Sequence, residues 1–573
     1  MSTRARIGWL VRAGLGGVAI AALAACSAPL SRVDRATDRL LEERSQGIGT
    51  VSPRPARSLP DPADRRSLTR TDPPTVNPRT DELRLIPADE DRDVAELLTR
   101  YAERAIGGAG GDVRRIGLSD ALRIAQESGR EYRNAEEAYI LSAIALLIER
   151  HLWGPRLFND TSVFVGAEGD EGRFDHELDV INTLRVTQRL PYGGDIEARW
   201  VARATDQLRD NVTQRYRSSS ELVLSADVPL LRGAGTVARE DLIQSERNLV
   251  YAARSFERFR RFFLDNIAGE FFALVESRNR IANRERQLAS RIRADLEAQA
   301  KVEAGRLRPF QRDITANAVE ETRAALAADR EGYILQLERF KIRLGLEPET
   351  PIEIMDPDFD VPEPALTPQE ATLLALEYRL DLQNERDGLI DRERAVRNAR
   401  NDLLPDFDIT GSIGFETDDD ENNGGFGLDD DELDYSLGMT FGLPLDRRIE
   451  RLRVRRSLIQ RDQAERDFTE FRDRIVVSAR AAVRSVDLAR FQLDLAERQI
   501  EINERGLEDL RLRDDSDPQA IVDRENALLD AENARDSALT DLRNAVLDYL
   551  LETGQLRVQE DGTFDPPPGL LDG

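Results

Sequence analysis

The sequence predicts an α+β membrane protein with two internal structural repeats, in which long helices alternate with groups of strands. Residues 222–235 read LVLSADVPLLRGAG, with apolar residues at every second position up to Pro229, which is typical of a strand with one apolar face. A helical pattern of about seventy residues follows. A shift of 250 residues aligns the chain with itself. From Ala479 to Leu510, apolar residues recur in alternating steps of three and four, which predicts coiled-coil helices.

The composition of the 573-residue chain excludes several classes of protein. With 108 acidic and 81 basic residues the net charge is −27, which repels nucleic acid. Two histidines, His151 and His176, and one cysteine are too few for a zinc or copper site, so we expect no metal and no cofactor. The chain has neither a glycine-rich phosphate loop nor a nucleophile beside a base, so we expect no enzymatic activity.

The first 25 residues have the features of a cleaved export signal. Basic residues precede an apolar stretch, and small residues come directly before Cys26. The basic residues are Arg4, Arg6 and Arg12. The LAAC motif at 23–26 resembles a bacterial lipoprotein signal, which implies that Cys26 becomes the lipidated first residue and that Ser27 favours sorting to the outer membrane. A plain secretory signal with a chance cysteine is the alternative.

Residues 26–112 are rich in Pro, Arg, Asp and Ser, a composition typical of a disordered tether. Within this tether, the pattern at about 90–104 is compatible with a short helix. The most apolar later segment, AYILSAIALLI at 138–148, has 11 residues, whereas a membrane-spanning helix needs about 20. If the mature chain crosses a membrane, strands must therefore do so.

Beyond residue 112 the chain divides into two halves that repeat one order of elements. Residues 113–345 form repeat 1, 346–367 a linker, 368–558 repeat 2 and 559–573 a flexible acidic tail. The shift pairs identical residues along the first helical region of each half. Examples are Ala121 with Ala371, Asn134 with Asn384, Arg150 with Arg400 and Pro155 with Pro405.

Prolines mark the places where helices and strands meet. In each half a helix ends just before a proline, period-2 strands follow, and the last strand ends in a second proline before another helix. The strand-to-helix joints are Pro155, Pro229, Pro405 and Pro444. The predicted strands lie at about 161–168, 178–190, 194–204 and 219–230 in repeat 1, and at about 405–415 and 433–445 in repeat 2.

Each half also combines one long helix with two shorter ones. Repeat 1 has a long helix at about 233–306, and repeat 2 has one at about 446–513. At 1.5 Å per residue each spans roughly 100–110 Å. The shorter helices are at about 118–155, 309–345, 368–404 and 518–553.

Strands with one apolar face cannot leave their edges unpaired in lipid, so they must close into a barrel. One chain has too few strands, so several copies must combine. A soluble coiled-coil rod would explain the helical seam but would leave the strands without a partner.

Seven motifs resemble those of the TolC-like outer-membrane efflux proteins, over about residues 118–556. They are VPLLRGAG at 228–235, AGR at 304–306, LGL at 344–346, ATLLALEYRLDLQ at 371–383, LLPDFDITGS at 403–412, FGLPLDRR at 441–448 and IVDRENALLDAENAR at 521–535. The resemblance implies a homotrimer in which an outer-membrane β-barrel, completed by trimerisation, continues into a periplasmic α-barrel tunnel. It also implies a passive exit duct that docks on a periplasmic adaptor protein and an inner-membrane transporter, in a tripartite pump or a type I secretion system.

The sequence departs from this family pattern in repeat 1, which carries four candidate strands where the basic pattern has two. The additional hairpin around LPYGGD at 190–195 either enlarges the barrel or extends a surface loop. Strand count alone leaves both alternatives open.

The resemblance further implies a tunnel gate at the turns near 305–311 and 513–519. Asp523 matches a pore-constricting acid of the family, and Asp313 is a looser counterpart in repeat 1. Gln519 stands where some relatives carry a latching arginine, which puts an ionic latch in doubt. The other acids of the second turn are Asp514, Asp515 and Asp517. For the turn, the alternative is a merely solvated polar turn without a gating role. For the whole protein, the alternative is a lipid-anchored periplasmic coiled-coil scaffold or adhesin without a pore.

Overall fold

The computed structural model describes residues 31–48, 53, 113–170, 173–207, 216–357, 367–416, 433–513 and 518–564. The chain forms two compact units. The sheet unit comprises Met1–Arg44, Tyr139–Ala253 and Asn384–Thr469, and the helical unit comprises Ser45–Ala138, Arg254–Gln383 and Glu470–Gly573. The predicted signal peptide, Cys26 and most of the predicted tether lie outside the described residues.

The described helices and strands overlap every element predicted beyond residue 112. The helices are α1 (Ser31–Ile48), α2 (Leu118–Ser128), α3 (Arg130–Leu152), α4 (Glu240–Glu303), α5 (Pro309–Leu344), α6 (Pro368–Tyr378), α7 (Leu380–Asn401), α8 (Arg448–Leu512) and α9 (Pro518–Glu552). The strands are β1 (Arg114–Ile116), β2 (Arg156–Asp170), β3 (Arg173–Arg189), β4 (Asp195–Gln207), β5 (Tyr216–Pro229), β6 (Ile352–Ile354), β7 (Asp406–Glu416) and β8 (Leu433–Gly442).

Helix α1 corrects the prediction of a disordered tether beginning at residue 26. Its sequence, SRVDRATDRLLEERSQGI, places small and apolar residues three and four positions apart, which gives the helix one apolar face. Leu40 and Leu41 on that face are buried. Because that burial offsets the cost of ordering the chain, the polar composition that predicts disorder does not decide the outcome here.

Two predicted helices are each divided into two. The region predicted as one helix at 118–155 breaks at Gly129, and the region at 368–404 breaks at Arg379, where ψ is 124° and 118° respectively. A Cβ at Gly129 would lie 3.2 Å from the Phe263 ring, so the chain turns where it packs closely on α4. Arg379 Nη1 donates to Glu552 Oε2 at 2.6 Å. Contacts between distant residues, which helical periodicity does not encode, set both breaks.

The sheet unit contains one six-stranded antiparallel sheet in the order β2-β3-β4-β5-β7-β8. All four strands predicted in repeat 1 belong to it. Hydrogen-bonded pairing runs without interruption from Arg156↔Thr187 to Asp170↔Arg173 between β2 and β3, and from Glu177↔Gln207 to Arg189↔Asp195 between β3 and β4. Strands β5 and β7 join the two halves of the chain through the pairs Glu221↔Glu416 to Pro229↔Asp408.

The two faces of this sheet differ in polarity, as the period-2 pattern predicts. One face is mainly apolar along every strand, and much of it is exposed in the single chain. Its exposed members include Leu157, Val163, Val165, Val180, Ile196, Leu224, Ile413, Leu433, Tyr435, Leu437, Met439 and Phe441. The opposite face carries charged residues on each strand, among them Asp160, Arg185, Arg199, Glu221, Asp408 and Asp434.

The helical unit has a core that centres on α4. Its aromatic side chains pack on each other, with the Phe271 and Phe272 ring centroids 6.4 Å apart and those of Phe271 and Phe340 also 6.4 Å apart. Strands β1 and β6 form a two-stranded parallel sheet in this unit. Tertiary packing of this kind, more than helix propensity, stabilises a long helix in water.

Residues 551–564, here named the C-terminal clasp, are held by three arginines of α4. Arg258 Nη1 donates to Leu551 O at 2.8 Å, Arg261 Nη1 donates to Gly554 O at 2.9 Å, and Arg260 donates to Val558 O. Val558 and Phe564 form a β-bridge. The tail predicted as flexible from residue 559 instead forms a turn over 559–564, in which Gln559 N donates to Thr563 O at 2.9 Å and Gln559 O accepts from Gln126 Nε2 at 3.3 Å.

Candidate functional site: strand-to-helix joints and helical turns

The first joint, where β5 leads towards α4, is a compact hydrogen-bonded structure. Pro229 is the last residue of β5, and the next amide, Leu230 N, donates to Phe407 O at 2.7 Å. Asn401 closes the turn from both sides, since its Oδ1 accepts from Gly233 N at 2.8 Å and its Nδ2 donates to Leu231 O at 3.2 Å. These backbone N–H and C=O groups of the loop are thereby hydrogen-bonded although the strand has ended.

The hairpin turn between β3 and β4 packs directly against this joint. Gly235 N donates to Tyr192 O at 2.7 Å. Gly193 and Gly194 have φ of 111° and 79°, values that favour glycine. A Cβ at Gly194 would also lie 1.8 Å from Asp227 O, so no larger residue fits. The turn and the joint are therefore one packed unit.

The second joint, where β8 leads towards α8, is more open. Arg447 Nε donates to Pro444 O at 3.1 Å and its Nη1 to Leu403 O at 2.8 Å. Asp446 Oδ1 accepts from Arg448 N at 3.0 Å, at the start of α8. Leu445 is 94% exposed, so this joint presents an apolar side chain that the single chain does not cover.

The remaining two prolines stand where helices give way to strands. Pro155 lies between α3 and β2, and Pro405 lies between α7 and β7. Each of the four prolines predicted as joints is thus found within three residues of an end of a strand of the six-stranded sheet. Proline suits these places because it lacks the N–H that would continue either element.

The first helical turn lies between α4 and α5. Gly305 adopts φ of 71°, and the Gln311 side chain accepts from Arg308 N at 3.2 Å. Asp313 is exposed on the first turns of α5. A residue that the sequence analysis did not single out, Asp295, lies close by and accepts from Thr315 Oγ1 at 2.8 Å.

The second helical turn lies between α8 and α9, and Asp514, Asp515 and Asp517 are outside the described residues. Asp523 is exposed, and its Oδ1 accepts from Gln519 Nε2 at 2.8 Å, one helical turn earlier. Gln519, which the sequence predicts to stand where some relatives carry an arginine, therefore contacts Asp523 within its own helix. Asp313 lies on α5 and Asp523 on α9, so the two acids belong to different helical turns.

A buried ionic cluster near these turns was missed by the sequence analysis. Glu525 is only 5% exposed, and its Oε1 accepts from Ser290 Oγ at 2.7 Å and from Arg511 Nη2 at 2.9 Å. Arg291 Nε lies 4.0 Å from the other carboxylate oxygen, and Arg291 Nη1 donates to Ala318 O at 2.8 Å. We name this set, which links α4, α5, α8 and α9, the four-helix network.

Burial lowers the pKa of Arg291, although the nearby Glu525 opposes that effect. A signal for the network was present in the sequence, because Gln287 and Arg291 follow Asn283 at steps of four along α4. Polar residues at the spacing of a buried stripe indicate buried polar contacts, but they do not reveal the partners.

In the part of the chain that the structure describes, no group of three or more His, Cys, Asp or Glu side chains is arranged to hold a metal ion. None of the described helices combines the length and the apolar character that crossing a bilayer requires.

The fold matches that of solved outer-membrane channels. The outer membrane channel CmeC of Campylobacter jejuni superposes with a TM-score of 0.57 at 16% identity, covering 76% of this chain and 85% of that one. The outer membrane protein VceC of Vibrio cholerae gives 0.59 at 13% identity over 76% and 96%. The open state of the outer membrane channel MtrE of Neisseria gonorrhoeae gives 0.54 at 15% identity over 78% and 93%.

These similarities confirm, for the fold, the resemblance to the TolC-like outer-membrane efflux proteins. No family model matches the chain, and no curated protein sequence matches it either. The chain thus has the fold of an outer-membrane channel, with an antiparallel sheet whose strands lead into long helices.

Proposed function

We propose that this protein is an outer-membrane channel-tunnel that acts as the passive exit duct of a tripartite efflux pump or a type I secretion system. The observation that carries the proposal is the six-stranded sheet, which has one exposed apolar face and leads through proline joints into helices of 64 and 65 residues. An exposed apolar face of this extent is typical of contact with lipid or with another protein. The fold similarity to outer-membrane channels favours lipid.

The proposed assembly is a homotrimer, with the sheets closed into a β-barrel and the helices into a coiled-coil tunnel in the periplasm. Two features support association of copies. The edge strands β2 and β8 are long, and each pairs with only one strand among the described residues; unprotected edges of this kind pair with another chain. Helix α8 also exposes a row of large apolar residues within the helical unit. The row is Val477, Leu488, Phe491, Leu495 and Ile502.

The proposed location is the outer membrane, with a lipid anchor on Cys26 and the helices in the periplasm. The LAAC motif and the basic residues before it support the anchor. Mass spectrometry of the mature amino terminus should find an acylated Cys26 and no residues 1–25. An unmodified terminus elsewhere would refute the anchor without affecting the channel.

The proposed gate lies at the helical turns, with Asp523 and Asp313 as its acids and Asp514, Asp515 and Asp517 nearby in sequence. Support comes from the exposure of Asp523 and from the four-helix network, which ties both helical turns into one packed region. Carboxylates repeated around a narrow axis concentrate a negative potential, which favours cations. A periplasmic adaptor protein and an inner-membrane transporter would engage this end.

The test uses the purified protein in planar bilayers. We expect cation-selective conductance that multivalent cations block from the side of the helical turns. The Asp523→Ala variant should weaken the block, whereas Asp530→Ala, at another exposed position of α9, is the matched control. Unchanged block and selectivity in Asp523→Ala would rule out Asp523 as the gate acid.

The same preparation distinguishes the alternative function. A channel built from a closed sheet should migrate as a heat-modifiable, SDS-resistant trimer. A lipid-anchored scaffold or adhesin would show neither conductance nor such an oligomer. In such a system the choice of substrate would depend on the transporter.

A further inference from the structure

We propose that each copy of this protein contributes six membrane-spanning strands, because the β3–β4 hairpin crosses the membrane and does not form a surface extension. The inference rests on the proposed function and specifies its membrane part. Strand count in the sequence left the two alternatives open. In the structure, the position, the ends and the faces of the hairpin favour a hairpin that crosses the membrane.

The position of the hairpin is interior to the sheet. Strands β3 and β4 lie between β2 and β5, and each is hydrogen-bonded on both sides along nearly its whole length. An extension would project beyond its neighbours and leave β2 and β5 to pair with each other below it. Here β2 and β5 are separated by both strands, so removing the hairpin from the membrane would divide the sheet.

The ends of the hairpin are level with the ends of the other strands. Asp195, at the start of β4, pairs with Arg189 and with Asp227, two residues before Pro229. The turn at 190–194 then packs on the first joint through the Gly235 N to Tyr192 O hydrogen bond. The turn therefore lies at the strand-to-helix boundary, where the membrane-embedded part of β5 also ends.

The faces of the hairpin continue those of the sheet. On the apolar face, β3 places Val180, Leu184 and Val186, and β4 places Ile196 and Trp200. This apolar face extends over nine residues in each strand, 178–186 and 196–204. A tilted strand needs about 9–11 residues to span a membrane, so both strands are long enough.

On the opposite face the hairpin is charged, with Asp179 and Arg203 among the residues that face away from Trp200. Arg185 and Arg199 are directly opposite each other there, and Arg185 also lies 5.1 Å from the Phe158 ring centre. Like charges in cross-strand contact destabilise a sheet unless water reaches them. This face therefore suits a water-filled interior and does not suit lipid.

An even number of strands lets the copies close the ring with antiparallel pairs only. Strands β2 and β8 run in opposite directions, and they are the two free edges of the sheet. Tyr435 on β8 is 82% exposed and Val165 on β2 is 72% exposed, so both edges carry apolar residues that the single chain leaves uncovered. We infer that β8 of one copy pairs with β2 of the next copy.

Three copies of a six-stranded sheet make a ring of 18 strands. Rings of about 16–18 strands leave an aqueous channel, whereas rings of about 8 are filled by side chains. The additional hairpin therefore widens the membrane pore without any change in the number of helices.

Tryptophan fluorescence in liposomes tests the position of the hairpin. The chain has three tryptophans, of which Trp9 lies in the predicted signal peptide. In the Trp153→Phe variant, Trp200 on β4 is the remaining probe of the mature protein. We expect lipids brominated in the middle of their acyl chains to remove most of its fluorescence in the assembled protein. Full fluorescence of Trp200, with quenching by aqueous iodide, would overturn the proposal.

Two further variants separate this proposal from the proposed function. The Trp200→Phe variant keeps Trp153, which lies just before β2, and we expect weaker quenching by mid-chain bromine there. Met439→Trp, in a chain with Trp153→Phe and Trp200→Phe, reports on β8. If bromine quenches position 439 but not Trp200, the sheet enters the membrane without the hairpin and only the six-strand proposal fails. If bromine quenches neither position, the channel itself is refuted.

Discussion

Helices α4 and α8 have 64 and 65 residues, yet their surfaces differ strongly. Helix α4 buries large aromatic residues and complete ion pairs, and it exposes three large apolar side chains, Phe262, Ile292 and Leu296. Helix α8 buries mainly alanine and other small residues. Its exposed large apolar residues are Ile449, Leu452, Ile459, Val477, Leu488, Phe491, Leu495, Ile502 and Leu512. Although the two helices are almost equally long, they pack differently: α4 lies in the core of its own chain, whereas α8 leaves many large apolar side chains exposed.

The largest expected effect is a difference in unfolding free energy between two alanine variants, one at an aromatic residue of α4 and one at an aromatic residue of α8. Phe271 on α4 is 0% exposed and Phe491 on α8 is 62% exposed. Phe271→Ala should lower the unfolding free energy of the chain by about 3–5 kcal/mol, because it leaves a cavity in a close-packed core. Phe491→Ala should leave the unfolding of the separated chain nearly unchanged and should lower the temperature at which the oligomer dissociates. Denaturant unfolding followed by circular dichroism measures the first effect, and semi-native gels measure the second. Similar unfolding curves for both variants would contradict the comparison.

The second comparison is between a buried arginine of α4 and an exposed arginine of α8, and we expect removal of the buried one to cost more stability. Arg260 on α4 is buried, lies 3.6 Å from Glu257 and binds Val558 O, so Arg260→Ala leaves a buried carboxylate less compensated and should cost about 3–5 kcal/mol. Arg498 on α8 is exposed and pairs with Asp494 at 2.7 Å, so Arg498→Ala should cost about 0.3–0.5 kcal/mol. Trypsin cleavage after Arg557 reports release of the C-terminal clasp, and it should accelerate in Arg260→Ala only. Equal protection in both variants would refute the role given to Arg260.

A third pair tests whether the exposed row on α8 is a contact between copies. Leu495 on α8 and Leu296 on α4 are exposed to a similar degree, 53% and 60%. A leucine buried between copies contributes about 1.5–3 kcal/mol, so Leu495→Glu should abolish the SDS-resistant oligomer without altering the circular dichroism of the chain. Leu296→Glu, outside that row, is the control and should assemble. Normal assembly of Leu495→Glu would show that the row faces something other than a second copy.

The smallest expected effect concerns an acid that α4 buries. Burial raises the pKa of Asp265 to about 7, and Asp548 and Glu552 add to the effect while Arg258 opposes it. A carboxyl whose pKa is higher in the folded state stabilises the fold at low pH and loses that contribution as pH rises towards and through about 7. Asp265→Asn should therefore raise the melting temperature by about 3 °C at pH 8 and by less at pH 5. Asp494→Asn, at an exposed position of α8, is the control. A gain that is the same at both pH values would contradict the assignment.

Regular patterns made much of the fold predictable. Alternation predicted the strands, prolines predicted their ends, and the seam from Ala479 to Leu510 predicted which side of α8 the chain buries, since Ala479, Val486 and Leu507 are buried. These signals are local, so they depend only on the backbone period of a helix or a strand. The neighbours of each strand are not local information. For that reason alternation could not decide between two and four sheet strands in repeat 1, whereas the register in the structure does.

The parts that the sequence did not predict depend on distant contacts. Glu525 accepts a hydrogen bond from Ser290, 235 residues away, and Arg379 binds Glu552, 173 residues away. No spacing rule relates such positions. Helix α1 was missed for another reason, because the composition of its surroundings is that of a disordered segment while its own short apolar face is buried.

The C-terminal clasp affects the order in which parts of the chain fold. Arg258, Arg260 and Arg261 bind carbonyl groups that follow them by 293 to 298 residues. Contacts of such long sequence separation form late, because a large loop must close before they stabilise the fold. The helical unit therefore completes these contacts only after residues 551–558 have been synthesised. A chain that lacked residues 551–558 would lose these three acceptors, and Arg260 and Arg261 would keep only side-chain partners, Gln126 and Glu257.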